Sequence, residues 1–419
     1  MKKLVRRMGI AVAAIAALAA VVVLGAFAYV NWAWDRPIPR TPPRGLVAGS
    51  DPQRVARGKY LFEDTALCWG CHGSKGSTRS DEPQAGGKVF DLSGIGPGFG
   101  VYYGSNLTPD PETGLGAWSD DEIVRVMREG VDPTGRLVFP LMPYEWYHGM
   151  GDDDALALVA YLRSLPPVHN QVPAARPSFP AKAMTAFGVL KPPVPITAPL
   201  VAPPEGITVE YGRYLASRVS GCSECHTPRD PSNGAFDLGR EMGGGLFPFP
   251  EEGFSATGSN LTPDPATGLG RWTDGQFLTA MRTGQRPDGT VLVPFMPWAS
   301  YAHWKDGDLR AVWAYLKSLK PVEHRIARPT LTGSAATGVG RDRGRSLFQV
   351  YCQGCHGENG ESSPLTSIAI REFAASETEA VLAEYVTDGP GAPAMPGFGK
   401  TLKPEQIADL VAYLRSMSK

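Results

Sequence analysis

All six cysteines of the 419-residue chain fall in three pentapeptides: Cys68-Trp69-Gly70-Cys71-His72, Cys222-Ser223-Glu224-Cys225-His226 and Cys352-Gln353-Gly354-Cys355-His356. Two thiols separated by two residues, with His next, form the attachment site of a c-type haem. The sulfurs add to the porphyrin vinyl groups, and the histidine is held against the iron as its proximal ligand. Two intervening residues let both sulfurs reach one edge of the macrocycle; the His must follow at once to lie over the metal. A thioredoxin-like dithiol would need a βαβ context, which is absent here. A zinc site would combine two such pairs or add a closely spaced His pair, and the sequence has no such pair. Three covalently bound haem c groups, each with its iron, are therefore expected on Cys68, Cys71, Cys222, Cys225, Cys352 and Cys355. His72, His226 and His356 are the expected axial ligands.

Each iron then needs a second axial ligand or an open position for chemistry. Met142 lies in Pro140-Leu141-Met142-Pro143-Tyr144, Met296 in Pro294-Phe295-Met296-Pro297-Trp298, and Met395 in Ala394-Met395-Pro396-Gly397-Phe398. A Met-Pro in a loop before a final helix holds its thioether free of helical constraint, so these three are the expected sixth ligands. Most buried methionines only fill gaps, and Met127 and Met281, at a core-facing helical position, are read that way. His148, His169, His303 and His324 do not recur at matching places and are expected to be surface or structural residues. His/Met ligation raises the reduction potential and fills both axial positions. Such a chain carries single electrons and is no catalyst itself. The alternative is a haem enzyme of the di-haem peroxidase kind, which would demand one unit without a usable Met.

The elements that position these residues repeat. Cys68 and Cys222, Asn106 and Asn260, Trp118 and Trp272, Met142 and Met296, and Tyr161 and Tyr315 all differ by 154. Ser105-Asn106-Leu107-Thr108-Pro109-Asp110 recurs as Ser259-Asn260-Leu261-Thr262-Pro263-Asp264. The period far exceeds that of a solenoid, so a whole domain has been used twice. Asn106, Asn260, Trp118 and Trp272 either tune the haems or build the loop. Three helices are expected per copy: one from Gln53 after the Asp51-Pro52 start signal, one over 121–129 or 275–282, and one over 153–165 or 307–319. Ile123, Val124 and Met127, then Leu156, Val159, Ala160 and Leu162, supply apolar faces. The inserts after the haem motifs read as loop wrapped around porphyrin. The fold class is mainly α, with three tandem cytochrome c-type domains at 51–170, 205–323 and 341–419. A Pro-rich linker is expected at 171–204 and a shorter linker at 324–340.

Lys2, Lys3, Arg6 and Arg7 precede an uncharged apolar run, Met8–Val30, long enough for a membrane-spanning helix of about 20 residues. Trp32 and Trp34 suit an interfacial aromatic belt, and the basic flank stays cytoplasmic. Ala26-Phe27-Ala28 resembles a signal-peptide cleavage site, but the run exceeds the roughly 7–15 residues of a signal core. Residues 1–34 are therefore expected to be a retained anchor, and 35–50 a proline-rich spacer lifting the first domain off the membrane. Residues 1–50 hold seven Lys/Arg and one Asp/Glu, whereas 51–170 hold ten and seventeen. An acidic body is a poor match for nucleic acid, and no nucleic-acid partner is expected; the same charge could steer a basic redox partner.

With its three haem motifs in order, two long domains bearing S-N-L-T-P-D-P with M-P-Y or M-P-W, and a short last domain with M-P-G-F, the chain resembles the tri-haem cytochrome c subunit of membrane-bound quinoprotein or flavoprotein dehydrogenases, such as those for alcohols, aldehydes and gluconate. The resemblance implies axial roles for His72, His226, His356, Met142, Met296 and Met395. It also implies a dehydrogenase subunit as electron donor and ubiquinone or a terminal oxidase as acceptor. The basic flank and apolar run, not the resemblance, give the expected setting: the bacterial inner membrane, with one N-terminal span and the haem domains on the periplasmic side.

Overall fold

The computed structural model describes residues 2–39, 42–73, 83–94, 96–230, 235–245, 249–251, 253–293, 295–361, 369–390 and 395–417. Pro294, Ala394 and parts of the inserts expected around the haems lie outside these residues. The chain opens with helix α1 (Lys2–Trp34). Its Val5–Trp34 stretch, of hydropathy 2.8, is long and apolar enough to cross a membrane.

Helix α2 (Pro52–Tyr60) starts where Asp51 accepts from the Arg54 N–H and Pro52 occupies the first turn. It continues into a π-helical turn, Leu61–Thr65, and then the short haem-motif helix α3 (Trp69–His72). Strands β1 (Val89–Asp91) and β2 (Gly100–Tyr103) follow. Helix α4 (Asp120–Glu129) begins at a reciprocal Ser119–Glu122 capping box and ends at the left-handed Gly130. One-turn helix α5 (Tyr144–Tyr147) leads into α6 (Asp152–Ser164). Strand β3 (Arg176–Pro177) returns to β2, and helix α7 (Phe179–Ala186) closes the unit.

The second copy repeats this order as α8 (Val209–Tyr214), a π-helical turn at Leu215–Val219, α9 (Cys222–His226), β4 (Phe249–Glu251), β5 (Phe254–Ala256), α10 (Asp274–Thr283), α11 (Trp298–Tyr301), α12 (Asp306–Ser318), β6 (Thr330–Leu331) and α13 (Gly333–Thr337). The elements described after it are helical: α14 (Gly340–Tyr351), α15 (Gln353–His356), α16 (Ile370–Ser376), α17 (Glu379–Asp388) and α18 (Pro404–Met417).

One helix crossing organises all of this. A Cβ on Gly58 of α2 would sit 1.8 Å from the Ala157 carbonyl oxygen of α6; on Gly212 of α8, 1.9 Å from that of Ala311 in α12. On Gly344 of α14 it would sit 2.1 Å from that of Asp409 in α18. Only glycine allows these backbones to touch. Tyr161, Tyr315 and Tyr413 back the three crossings from the partner helix. Phe62 packs on Tyr161 with ring centroids 5.3 Å apart, and Phe348 on Tyr413 at 5.6 Å. Full burial of each such side chain contributes about 1.5–3 kcal/mol.

Two findings depart from the sequence reading. The segments 171–204 and 324–340 are more than linkers: each adds a strand to the unit before it, completing the antiparallel sheets β1-β2-β3 and β4-β5-β6, and then forms a short helix that packs elsewhere, α7 on α1 and α13 on α14. Strands of two to four residues leave no alternating pattern to read. The spacer after α1 also lies along the first unit. The Ile38 N–H donates to the Gly135 carbonyl, Asp121 accepts from the N–H groups of Arg44, Gly45 and Leu46, and Arg44 makes a bidentate pair with Asp152. These bonds strap it to the surface of the unit.

The first two copies share one hydrophobic core. Residues 340–417 build a second, onto which β5, Val291, Val293 and Trp298 of the second copy pack.

Candidate functional site

In both long copies the haem motif is fixed by the repeated Ser-Asn-Leu-Thr-Pro-Asp segment. The His72 Nδ1–H donates to the Ser105 carbonyl at 3.0 Å, and the His226 Nδ1–H to that of Ser259 at 2.7 Å. With Nδ1 carrying the proton, the Nε2 lone pair is free for a metal, and the carbonyl sets the ring's orientation and raises its basicity. The residue before each serine must be glycine: a Cβ on Gly104 would lie 2.0 Å from the Cys71 carbonyl oxygen, and on Gly258, 1.9 Å from that of Cys225. His356 in the third motif is buried.

Asn106 does not reach toward the haem motif. Its side chain accepts from the Thr108 N–H and hydroxyl and donates to Thr113 and to the Val168 carbonyl beyond α6. Asn260 repeats the pattern with Thr262, Thr267 and Val322. These buried amides clamp the loop, which decides the open question for them in favour of architecture. Trp118 and Trp272 are half-buried at the edge of the same core.

The six cysteines form no disulfide. Burial pushes their thiols up: to about 12 for Cys68, Cys225 and Cys352, to about 11 for Cys355, and upward for Cys71 and Cys222. A reactive dithiol needs the opposite shift, so the environment suits a covalently capped sulfur. Met142 and Met296 occupy matching turns in which their carbonyls accept from Tyr144 N–H at 2.8 Å and Trp298 N–H at 2.7 Å. They are half-buried against the core that also holds Cys68 and Cys222; Met395 is half-buried against the core of Cys352 and Cys355. Met127 and Met281, by contrast, are buried packing residues. The donor set of each unit, two buried sulfurs with a histidine and a thioether, fits a covalently held haem. Among the other histidines, His148 meets the Arg128 carbonyl, His324 that of Gly243, and His169 lies near Asp110 and Glu112.

Sequence reasoning missed the contact between the copies. Tyr60 of the first donates to Asp308 of the second at 2.7 Å, and Tyr214 of the second donates to Asp154 of the first at 2.7 Å. The Lys305 N–H donates to the Tyr60 hydroxyl and the Gly151 N–H to that of Tyr214. Each residue in one set differs from its counterpart in the other by 154, with the copies exchanged, so the copies face each other about a pseudo-twofold axis. Helix α5 packs on the second π-helical turn and α11 on the first. Trp146 of α5 donates to Glu224, inside the second haem motif, at 2.6 Å. Tyr147 and Tyr301 are buried beside the cysteines of their own copies, and burial raises both phenols well above the usual range. The signal was present: Tyr60, Tyr147, Asp154 and their offset partners obey the repeat.

Comparison with known proteins adds the following. The cytochrome c family model matches residues 55–166, and the model for cytochrome c oxidase, cbb3-type, subunit III matches 340–414. The gluconate 2-dehydrogenase cytochrome c subunit of Pantoea cypripedii is 31% identical over 86% of this chain and 85% of its own length. The cytochrome c subunit of the quinone alcohol dehydrogenase of Gluconobacter oxydans (strain 621H) is 28% identical over 87% and 79%. A nicotinate dehydrogenase subunit of Pseudomonas putida is 30% identical over 90% of this chain, which spans 31% of that longer protein.

Proposed function

The chain belongs to the cytochrome c subunits of alcohol, gluconate and fructose dehydrogenases, and from that premise we propose that it is a membrane-anchored relay of three haem domains. It takes single electrons from a dehydrogenase subunit on the periplasmic face and passes them to ubiquinone or a terminal oxidase. The observation that carries this reading is that each Cys-x-x-Cys-His motif follows a helix crossed by glycine and is paired with a Met-Pro turn before or beside the same core.

Bound haem iron supplies the one-electron couple. Cys68 and Cys71, Cys222 and Cys225, and Cys352 and Cys355 would hold it by thioether links, with His72 and Met142, His226 and Met296, and His356 and Met395 as the residues that would ligate its iron. The Ser105 and Ser259 carbonyls keep two of the imidazoles aligned. Burial and thioether ligation both favour the reduced state relative to an exposed, more donating site. Helix α1 supplies the anchor, with its basic flank on the cytoplasmic side.

Spectroscopy under anaerobic reduction tests this. Three low-spin haems that bind no carbon monoxide are expected. A high-spin, carbon monoxide-binding haem in the isolated protein would replace the relay with the peroxidase reading. A C-terminal fusion reporter is expected to be active only outside the cytoplasm.

A further inference from the structure

The proline-rich segment after the first copy carries exposed apolar side chains, three of them at or just past the ends of α7, that the fold of that copy does not use. Phe179, at the start of α7, is 42% exposed, and Phe187 and Val189, just past its end, are each 61% exposed. The two phenylalanines lie on the apolar N-terminal helix. Phe179 stacks on Phe27 of α1 with centroids 5.2 Å apart, Phe187 packs on Tyr29 at 5.6 Å, and the Tyr29 hydroxyl donates to the Ala186 carbonyl.

We propose that residues 179–190 form a second membrane contact, an interfacial helix and turn that lie in the outer boundary of a phospholipid bilayer beside the exit of α1. This rests on the reading of α1 as a membrane span. Phe27 lies seven residues before Trp34, about 10 Å along the helix. Asp35 and Arg36 mark the aqueous side, and the Arg36 guanidinium sits 4.7 Å from the centroid of the Trp32 ring. A segment stacked on Phe27 and Tyr29 is therefore at the depth of about 5–10 Å that interfacial helices reach.

Charge points to the same occupant. Residues 171–204 contain Arg176, Lys182 and Lys191 and no Asp or Glu, next to a domain with seventeen acidic residues against ten basic. A basic collar around an apolar tip complements anionic headgroups.

The internal repeat supplies the control. The counterpart of α7 is α13, which packs on α14 instead of on an apolar helix. The residues matching Phe179, Phe187 and Val189 there are Gly333, Arg341 and Arg343. The same element is apolar at its tip only in the copy that adjoins α1.

The test uses the full haem-loaded chain in vesicles of phosphatidylcholine and phosphatidylglycerol. Native cysteines are blocked by thioether links, so Phe187→Cys, Arg341→Cys and Val12→Cys each introduce one thiol for a spin label, with the haem spectrum confirming the fold. Relaxation by oxygen, which partitions into lipid, is compared with relaxation by a water-soluble nickel complex. The label at 187 is expected to favour oxygen several-fold more than that at 341, as the label at 12 does. Nickel-dominated relaxation at 187 with oxygen-dominated relaxation at 12 would overturn the interfacial contact and leave the anchor. Nickel-dominated relaxation at both would overturn the anchor and the contact together.

Discussion

Residues 51–170 and 205–323 build the same unit from different sequences, and what they share separates from what they do not. Shared are the glycine at the helix crossing, the π-helical turn before the haem motif, the serine carbonyl behind the histidine and the buried asparagine clamp. Changed are the surroundings. The second copy receives the last unit on Phe254, Val291, Val293 and Trp298, whereas the first copy's Tyr102 and Phe139 stack on each other at 4.4 Å. What positions the haem motif and what joins the two copies are kept; what meets the last unit differs.

The largest expected effect tests the shared part. Gly58→Val and Gly212→Val force the helices apart, and each is expected to cost at least about 3 kcal/mol in chemical denaturation, at the upper end for overpacking. Gly70→Ala, whose added Cβ meets nothing within 4 Å, should change stability little. Equal tolerance at 58 and 70 would break the equivalence of the crossings. Next, Met142→Ala and Met296→Ala are each expected to remove the long-wavelength sulfur-to-iron band of one haem in three; an unchanged band removes that methionine as a ligand.

The pseudo-twofold contact gives smaller, graded effects. Tyr60→Phe leaves the buried Asp308 without its donor and should cost about 1–3 kcal/mol. Tyr214→Phe should cost less, because Arg57 still pairs with Asp154 at 2.8 Å. The reverse order would contradict the assigned partners. Burial raises the Asp308 carboxyl above its usual range, against the hydrogen bond from Tyr60. Its protonated form is thus favoured in the folded state, and the native state binds more protons than the unfolded one between the ordinary and the raised pKa. Stability should therefore fall as pH rises through that window, and Asp308→Asn should flatten the slope. A slope unchanged by Asp308→Asn would assign it to another group.

The haem motifs, the repeat and one helix start were legible in the sequence because covalent chemistry and capping act over a few residues: Asp51 with Pro52 marks a start that the structure reproduces within a residue, and the helix expected over 121–129 is found at Asp120–Glu129. The sheets were not legible, since β3 and β6 are two residues each, too short to show an alternating pattern. The π-helical turns leave no periodic mark, and the Tyr60–Asp308 and Tyr214–Asp154 bonds exist only once two copies meet. Helix α7 was hidden by the prolines around it, though Ser178 and Pro180 form an ordinary start.

Intact-mass analysis of the exported, full-length chain tests the central claim most directly. The account predicts an increment of three haem groups, falling to two when Cys222 and Cys225 are both replaced by Ala. An unmodified mass, or one unchanged by that replacement, would contradict it.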